Sequence, residues 1–363
     1  MARSFAYKGA SQYIQGEFCL SKIGEEASKI GKKAFVLGGK TSLLVAGDRV
    51  QSSLSTAGIP YEVSEFSGFC SPERIDVYSE HFRKSGADLV IGMGGGRAID
   101  TAKGVALRTG APFLLAPTSV AQCACCANVI ILYEENGDPM PKAWNLDHSA
   151  AAVMVDTDII VRHCPVRMFA TGIADSMAKL PEIEFLRANT SDWREVFLTA
   201  YSYQMAENIY QLYLEKAAAA VEDVKAKRLT PVVEDVITAN VLLTGLSSAL
   251  ASGTRQIALP HNIYYAICQH YKPQQAKYMH GEMVSLGLAV QFLVNGAAQA
   301  KVQECVDLLR MIGVPVVPED IGLEASGELV ETLLNYCVSQ MPYMDTSCVK
   351  TAKAAMEQLW LVG

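Results

Sequence analysis

The chain is predicted to fold as an α/β domain built on a parallel sheet, followed by a domain made almost wholly of helices. Three observations predict this. Short apolar runs of β type alternate with helical stretches from residue 33 to residue 161; strands vanish from the pattern after about Pro165; and long runs of helical composition replace them.

The β-type runs are 34–37, 89–92, 112–116 and 153–156, and the stretches 41–57 and 74–85 between them have helical length and mixed polarity. Val129-Ile-Ile-Leu-Tyr133 followed by Glu134-Glu-Asn-Gly137 reads as a strand and a turn, so 128–142 is expected to project as a hairpin. Runs 193–221, 232–252 and 298–312 read as helices of the second domain. The expected division is 1–163 and 164–363.

Composition narrows the function classes. Of 363 residues, 50% are hydrophobic and 19% charged, which describes a folded chain long enough for two domains. A net charge of −7 with no basic run argues against nucleic acid or an anionic membrane as partner and favours small molecules. Residues 1–13 lack a charged start followed by an apolar core, and no stretch approaches the roughly 18 uncharged apolar residues of a membrane helix. The apolar window 236–250, broken by Thr, Asn and Ser, reads as a buried core helix. Ten cysteines are scattered, and Cys123, Cys125 and Cys126 lack zinc-ribbon spacing, so free thiols in a reducing cytoplasm are expected.

The strand starting at Leu89 ends in Ile91-Gly-Met-Gly-Gly-Gly-Arg-Ala-Ile-Asp100-Thr-Ala-Lys103 and runs straight into a helix. Gly94, Gly95 and Gly96 remove every side chain where backbone approaches a phosphate, and the helix offers N–H groups to it, so a pyrophosphate fits. A tight turn that needs glycine for its backbone angles is the plainer alternative. Position at a strand's carboxyl end favours the ligand. Asp100 and Lys103, one turn apart, form either a local ion pair or the floor of the cofactor site. Thr118 and Ser119, after the next strand, supply hydroxyls suited to phosphate or carboxamide.

Six histidines are present. His261 and His280 each precede or open a predicted helix, and with Asp175 they offer two imidazoles and one carboxylate. That ligand count leaves a position open for substrate and suits zinc or iron. Singly, each residue is more commonly a hydrogen-bonded core group or a helix cap.

Taken together and in order, these segments resemble the iron-containing alcohol dehydrogenase superfamily, in its glycerol dehydrogenase-like branch. The Gly94 to Lys103 stretch matches the branch's nucleotide-binding segment, Val155-Asp-Thr157 its domain-closing strand, Thr171-Gly-Ile-Ala-Asp175 the segment of the metal-binding aspartate, and His280-Gly-Glu the second metal histidine. The resemblance implies a dehydroquinate synthase-like α/β domain that binds NAD or NADP, a helical domain holding one divalent metal through Asp175, His261 and His280, and a homo-oligomer. The family often has a histidine at the ligand position and another three residues later. Spacing back from His280 makes His261 the ligand and Tyr264 the later residue, whereas matching the His-Asn pair would leave Ala258 at the ligand position.

Two departures bear on substrate and cofactor. Glycerol dehydrogenases carry an aspartate that contacts the polyol where Cys123 stands here, and a thiol is a far weaker acceptor than a carboxylate. The hydroxycarboxylate dehydrogenase-type members, which reduce 2-oxo acids, are the implied closer relatives. NAD-preferring relatives place an aspartate where Gly39 stands, so a 2′-phosphate is admissible. The expected function is hydride transfer between NAD(P)(H) and a small alcohol or carbonyl compound, a 2-oxo or 2-hydroxy acid being one such. Glycerol oxidation is the alternative; a dehydroquinate synthase-like lyase is the rival class, in which a glutamate holds the metal where Asp175 stands. Pro181, close behind Asp175, is expected to kink or end a helix.

Overall fold

The computed structural model describes residues 8–189, 193–251 and 257–361; Ser252, the expected last residue of one helix, lies outside them. In chain order the strands are β1 (Tyr13–Gly16), β2 (Ala34–Gly39), β3 (Tyr61–Phe66), β4 (Leu89–Gly94), β5 (Phe113–Pro117), β6 (Val129–Ile130), β7 (Trp144–Asn145) and β8 (Ala152–Asp156). Six of them form one sheet in the order β1-β8-β5-β4-β2-β3. Every pairing in it is parallel.

The four inner strands are those legible as apolar runs, because burial on both faces makes them apolar throughout except for Asp156 at the end of β8. The two edge strands carry half-exposed positions such as Gln15 and exposed ones such as Glu62 and Glu65, and this is why no apolar run marks them. One face of the sheet packs Val36, Ile91, Met93, Leu114 and Met154 against Ala46, Val50 and Leu54 of the helix Lys40–Thr56. On the other face Phe35 meets Phe82 of the helix Pro72–Ser85 edge-on, with ring centroids 5.9 Å apart.

From β2 the chain proceeds to β3 at one edge, then returns to place β4 and β5 on the other side of β2. The reversal between β2 and β4 is the switch point at which parallel α/β sheets bind ligands, outside the carboxyl ends of the strands. Gly39 ends β2 and Gly94 ends β4, so the expected cofactor glycines lie there.

The expected hairpin is present, but its pairing uses later residues than anticipated: β6 pairs antiparallel with β7, and Tyr133 bridges Pro139 around Gly137 at φ 88°. Among the described residues no strand follows β8.

The chain clusters into two compact units, Met1–Pro165 with Asp223–Ala249, and Val166–Glu222 with Leu250–Gly363. A single cut was expected, yet 223–249 packs with the first unit. Gln15 Nε2 donates to the Glu234 carbonyl at 3.1 Å, and Asn240 Nδ2 donates to the Val120 carbonyl at 3.2 Å. A Cβ on Gly245 would stand 2.6 Å from Cys126 Cβ. This segment, Pro231–Leu250, is one helical run of 20 residues with mean hydropathy 1.2, long enough to cross a membrane by length and composition. It carries Glu234 and Asp235, so it is not an uncharged apolar stretch, and 56% of its apolar window is buried inside the protein, in keeping with the core helix expected over 236–250.

In the second unit the helix Val166–Met177 is separated from Lys179–Asn189 by a turn at Ala178. Pro181 has no N–H for the Met177 carbonyl, which accounts for the interruption. The helix Leu259–His270 packs against His280–Val284, Leu288–Val294 and Gly327–Gln340.

Candidate metal centre and cofactor turn

The helix Leu259–His270 begins in the protein interior at Ala258, which has no side chain able to cap it. Its first N–H groups need acceptors from elsewhere. Glu182 Oε1 accepts from the N–H of Ala258 at 2.8 Å and of His261 at 3.2 Å, Gln291 Oε1 accepts from Leu259 at 2.9 Å, and Pro260 has no N–H to satisfy. His261 is thereby held in the first turn of a buried helix, its Nδ1 2.9 and 2.8 Å from the two oxygens of Glu182.

His280 opens the helix His280–Val284. Glu282, two residues on, accepts from the Met279 N–H at 2.8 Å and is gripped by both Arg167 Nε and Arg167 Nη2, at 2.5 and 2.6 Å. Arg167 belongs to the helix Val166–Met177 that carries Asp175, so the fork ties the two helices together. Between them Gly281 lies so close to Thr171 that a Cβ would stand 2.1 Å from the Thr171 carbonyl oxygen.

These supports bring three donors to one point. His280 Nε2 is 2.9 Å and His261 Nε2 3.3 Å from Asp175 Oδ1, and one donor atom from each residue lies within 4.8 Å of the others. Three N and O ligands at about 2 Å from a common ion are spaced by such distances, so the residues fit a divalent metal. Asp175 and His261 are buried, whereas His280 is 23% exposed, which leaves the site open on its side. Tyr264 packs edge-on against the His280 ring with centroids 4.2 Å apart.

Burial works against ionisation of Asp175, but the charge of His280 and hydrogen bonds from both histidines outweigh it and hold its carboxyl well below the usual range. Burial also penalises the charge on His261, and the Glu182 carboxylate overcomes this and raises its pKa, against the opposing charge of Lys179. His261, of the two alignments, is thus the one that meets Asp175 and His280; the Ala258 position contributes only its N–H to Glu182. His270 is exposed and faces Tyr336, away from this cluster.

The expected cofactor residues gather at the ends of β2, β4 and β5. Gly94 has φ 136°, a conformation that excludes side chains, and Gly95 precedes the helix Gly96–Thr109 with no side-chain cap. The Thr118 N–H donates to the Gly94 carbonyl at 3.1 Å, and Ser119 Oγ would lie 3.5 Å from a Cβ on Gly95. Ser42, unnoticed in the sequence, bridges the strands: its Oγ donates to the Gly39 carbonyl at 2.7 Å or to the Met93 carbonyl at 3.2 Å. A Cβ on Gly39 would meet only Ser42 Oγ, at 3.6 Å, so the position has room for more than glycine. Cys123 is buried in the loop after β5, where its carbonyl accepts from Cys126 and Ala127.

Asp100 and Lys103 form the local ion pair of the plainer reading. Lys103 is fully buried, its Nζ 2.6 Å from Asp100 Oδ1 and bonded to the carbonyls of Ala124, Ala127 and Val129 at 2.9, 3.3 and 2.5 Å. An ammonium has three hydrogens, and the three carbonyls accept them. Asp100 Oδ2 accepts from the Ile131 N–H, and the pair therefore clamps the loop beyond β5.

Residues 10–157 match the model of the family described as iron-containing alcohol dehydrogenase. A glycolaldehyde reductase of Halobacterium salinarum is 30% identical over 319 residues, spanning 87% of this chain and 85% of that protein. The chain belongs to the iron-containing alcohol dehydrogenase family. A glycerol dehydrogenase of Pseudomonas putida is 29% identical over 86% of this chain and 83% of its own length, which places the dehydrogenase in the glycerol dehydrogenase-like branch. The solved structure of a probable glycerol dehydrogenase from Sinorhizobium meliloti has the same fold, with a TM-score of 0.84, 24% identity and 99% of both chains covered. The dehydrogenase is accordingly an oxidoreductase of the alcohol and polyol type, a class that works with a nicotinamide nucleotide and a divalent metal.

Glu182 is the buried partner of His261 that sequence reasoning missed. A signal existed: it stands seven residues after Asp175, on the same side of a regular helix, in the apolar run Leu180 to Leu186. Pro181 obscured it by interrupting that helix.

Proposed function

We propose that the dehydrogenase transfers hydride between NAD(P)H and a small carbonyl compound, reducing a 2-oxo acid to the 2-hydroxy acid, with its metal held by Asp175, His261 and His280. The convergence of these three donor atoms, with His280 on the open side, carries the reading. Bound there, a zinc or iron ion supplies a Lewis acid for the substrate oxygen, and the nicotinamide supplies the hydride. The chain's own residues position these groups. Gly94 and Gly95 leave backbone free for a pyrophosphate at the start of the helix Gly96–Thr109, Gly96 makes way for the Gln122 side chain, and Thr118 and Ser119 offer hydroxyls nearby. Gly39 leaves space for a 2′-phosphate at the end of β2.

Cys123 supports the acid as substrate. With a thiol in place of the carboxylate of glycerol dehydrogenases, this position lacks both a negative charge that would repel a 2-oxo acid and an acceptor that would hold a polyol. Glycerol is the second reading, favoured by the glycerol dehydrogenase of Pseudomonas putida among the relatives.

A panel of 2-oxo acids, aldehydes and polyols, run with both NADH and NADPH and accompanied by metal analysis, tests the proposal. The expected result is about one zinc or iron per chain and faster turnover of 2-oxo acids than of glycerol. Net consumption of the reduced nucleotide excludes a lyase. His280→Ala should lose both metal and activity; normal turnover by that variant would refute the site, and faster turnover of glycerol would replace the acid by the polyol.

A further inference from the structure

We infer that Glu182 is the positioning residue of the metal centre: it holds His261 as the Nδ1–H tautomer and thereby directs the Nε2 lone pair toward the ion. This rests on the metal reading of Asp175, His261 and His280.

Glu182 is fully buried, and both of its oxygens lie within hydrogen-bond distance of His261 Nδ1, Oε1 at 2.9 Å and Oε2 at 2.8 Å. Oε1 takes the N–H groups of Ala258 and His261, at 2.8 and 3.2 Å, which caps the helix Leu259–His270. Oε2 faces His261 Nδ1 at 2.8 Å. Capping alone needs only Oε1, so the second contact requires its own account. An ionised carboxylate only accepts, so Nδ1 must carry the hydrogen for the contact to be a hydrogen bond. In the neutral ring Nε2 then bears the lone pair, and Nε2 is the atom that stands 3.3 Å from Asp175 Oδ1. Partners of this kind fix tautomer and ring orientation in metal-binding histidines.

The arrangement predicts an unusual consequence for Glu182→Gln. Two backbone N–H groups demand an acceptor where Oε1 lies, so the amide oxygen must occupy that place and the NH2 must face Nδ1. The cap survives, but the one remaining acceptor, 2.9 Å from Nδ1, is shared with two backbone N–H groups while a donor faces Nδ1 where Oε2 stood, so the hold on the Nδ1–H tautomer weakens.

The test uses the full chain with zinc and Co(II) as probes. Chelator competition measures zinc affinity for the parent protein, E182Q, E182A and H280A, and visible absorption reports the Co(II) coordination. Expected are roughly 10- to 100-fold weaker zinc binding and an altered Co(II) spectrum in E182Q, with metal-free thermal stability closer to the parent than that of E182A, which loses the cap. Zinc affinity of E182Q within two-fold of the parent, with an unchanged Co(II) spectrum, overturns the inference and leaves the metal reading intact. No zinc binding by the parent, or equal binding by H280A, overturns the metal reading and this inference with it. Should E182Q fail to fold, long-range proton–nitrogen NMR of the zinc-loaded parent decides: a hydrogen on His261 Nδ1 is expected, and metal coordination through Nδ1 would overturn the assignment.

Discussion

At the scale of single residues, an absent side chain governs how near His280 comes to Asp175. The carbonyl of Thr171 occupies the space that a side chain on Gly281 would need, and because it is backbone it cannot rotate away. Gly281→Ala is therefore expected to push the helix His280–Val284 off Val166–Met177, lowering stability by about 1–3 kcal/mol and weakening zinc binding. Thermal melts with and without zinc check this; an unchanged zinc-induced shift would show that the close approach is dispensable. Asp175 and His280 were legible in the sequence through the short segments around them. His261 was not separable from an alternative alignment until its ring was seen against Asp175. Glu182 stayed hidden because a carboxylate in an apolar run is read as an exposed edge unless its partners, 76 and 79 residues away, are known.

At the scale of elements, Lys103 joins a helix to the loop that carries Cys123 and leads to β6. Its removal strands a buried carboxylate, Asp100, which burial already pushes toward the neutral form against the charge of Lys103. Lys103→Met should cost roughly 3–5 kcal/mol, and the double change with Asp100→Leu less than that, since an unpaired buried charge is worse than none. Denaturant melts of the single and double variants give the comparison; a double variant less stable than Lys103→Met would contradict the clamp. The inner strands were legible because parallel burial makes them uniformly apolar. Edge strands β1 and β3 were not, their half-exposed faces resembling loop composition.

At the scale of the whole molecule, acid stability tests the ion-pair network of the first unit. Asp158 is buried between Arg49, at 2.9 Å, and Arg162. Burial raises its pKa, but hydrogen bonds from Arg162 and Arg49 outweigh burial and bring it below the ordinary value. Its contribution is thus complete above the unfolded carboxylate pKa of about 3.9 and is lost as pH falls through the lower folded value. The difference in melting temperature between the parent and Asp158→Asn should be constant above about pH 5 and shrink below about pH 4; a pH-independent difference would rule this out. The amino-acid sequence by itself determined the parallel sheet, the helical second half, the glycine turn and the chemical types of the metal donors, because each is written in local periodicity or in a short contiguous segment. Only the tertiary structure decided that residues 223–249 return to the first unit, that Lys103 clamps a loop, and that Glu182 stands behind His261. Those outcomes depend on which distant backbone groups share a buried space and must find partners there.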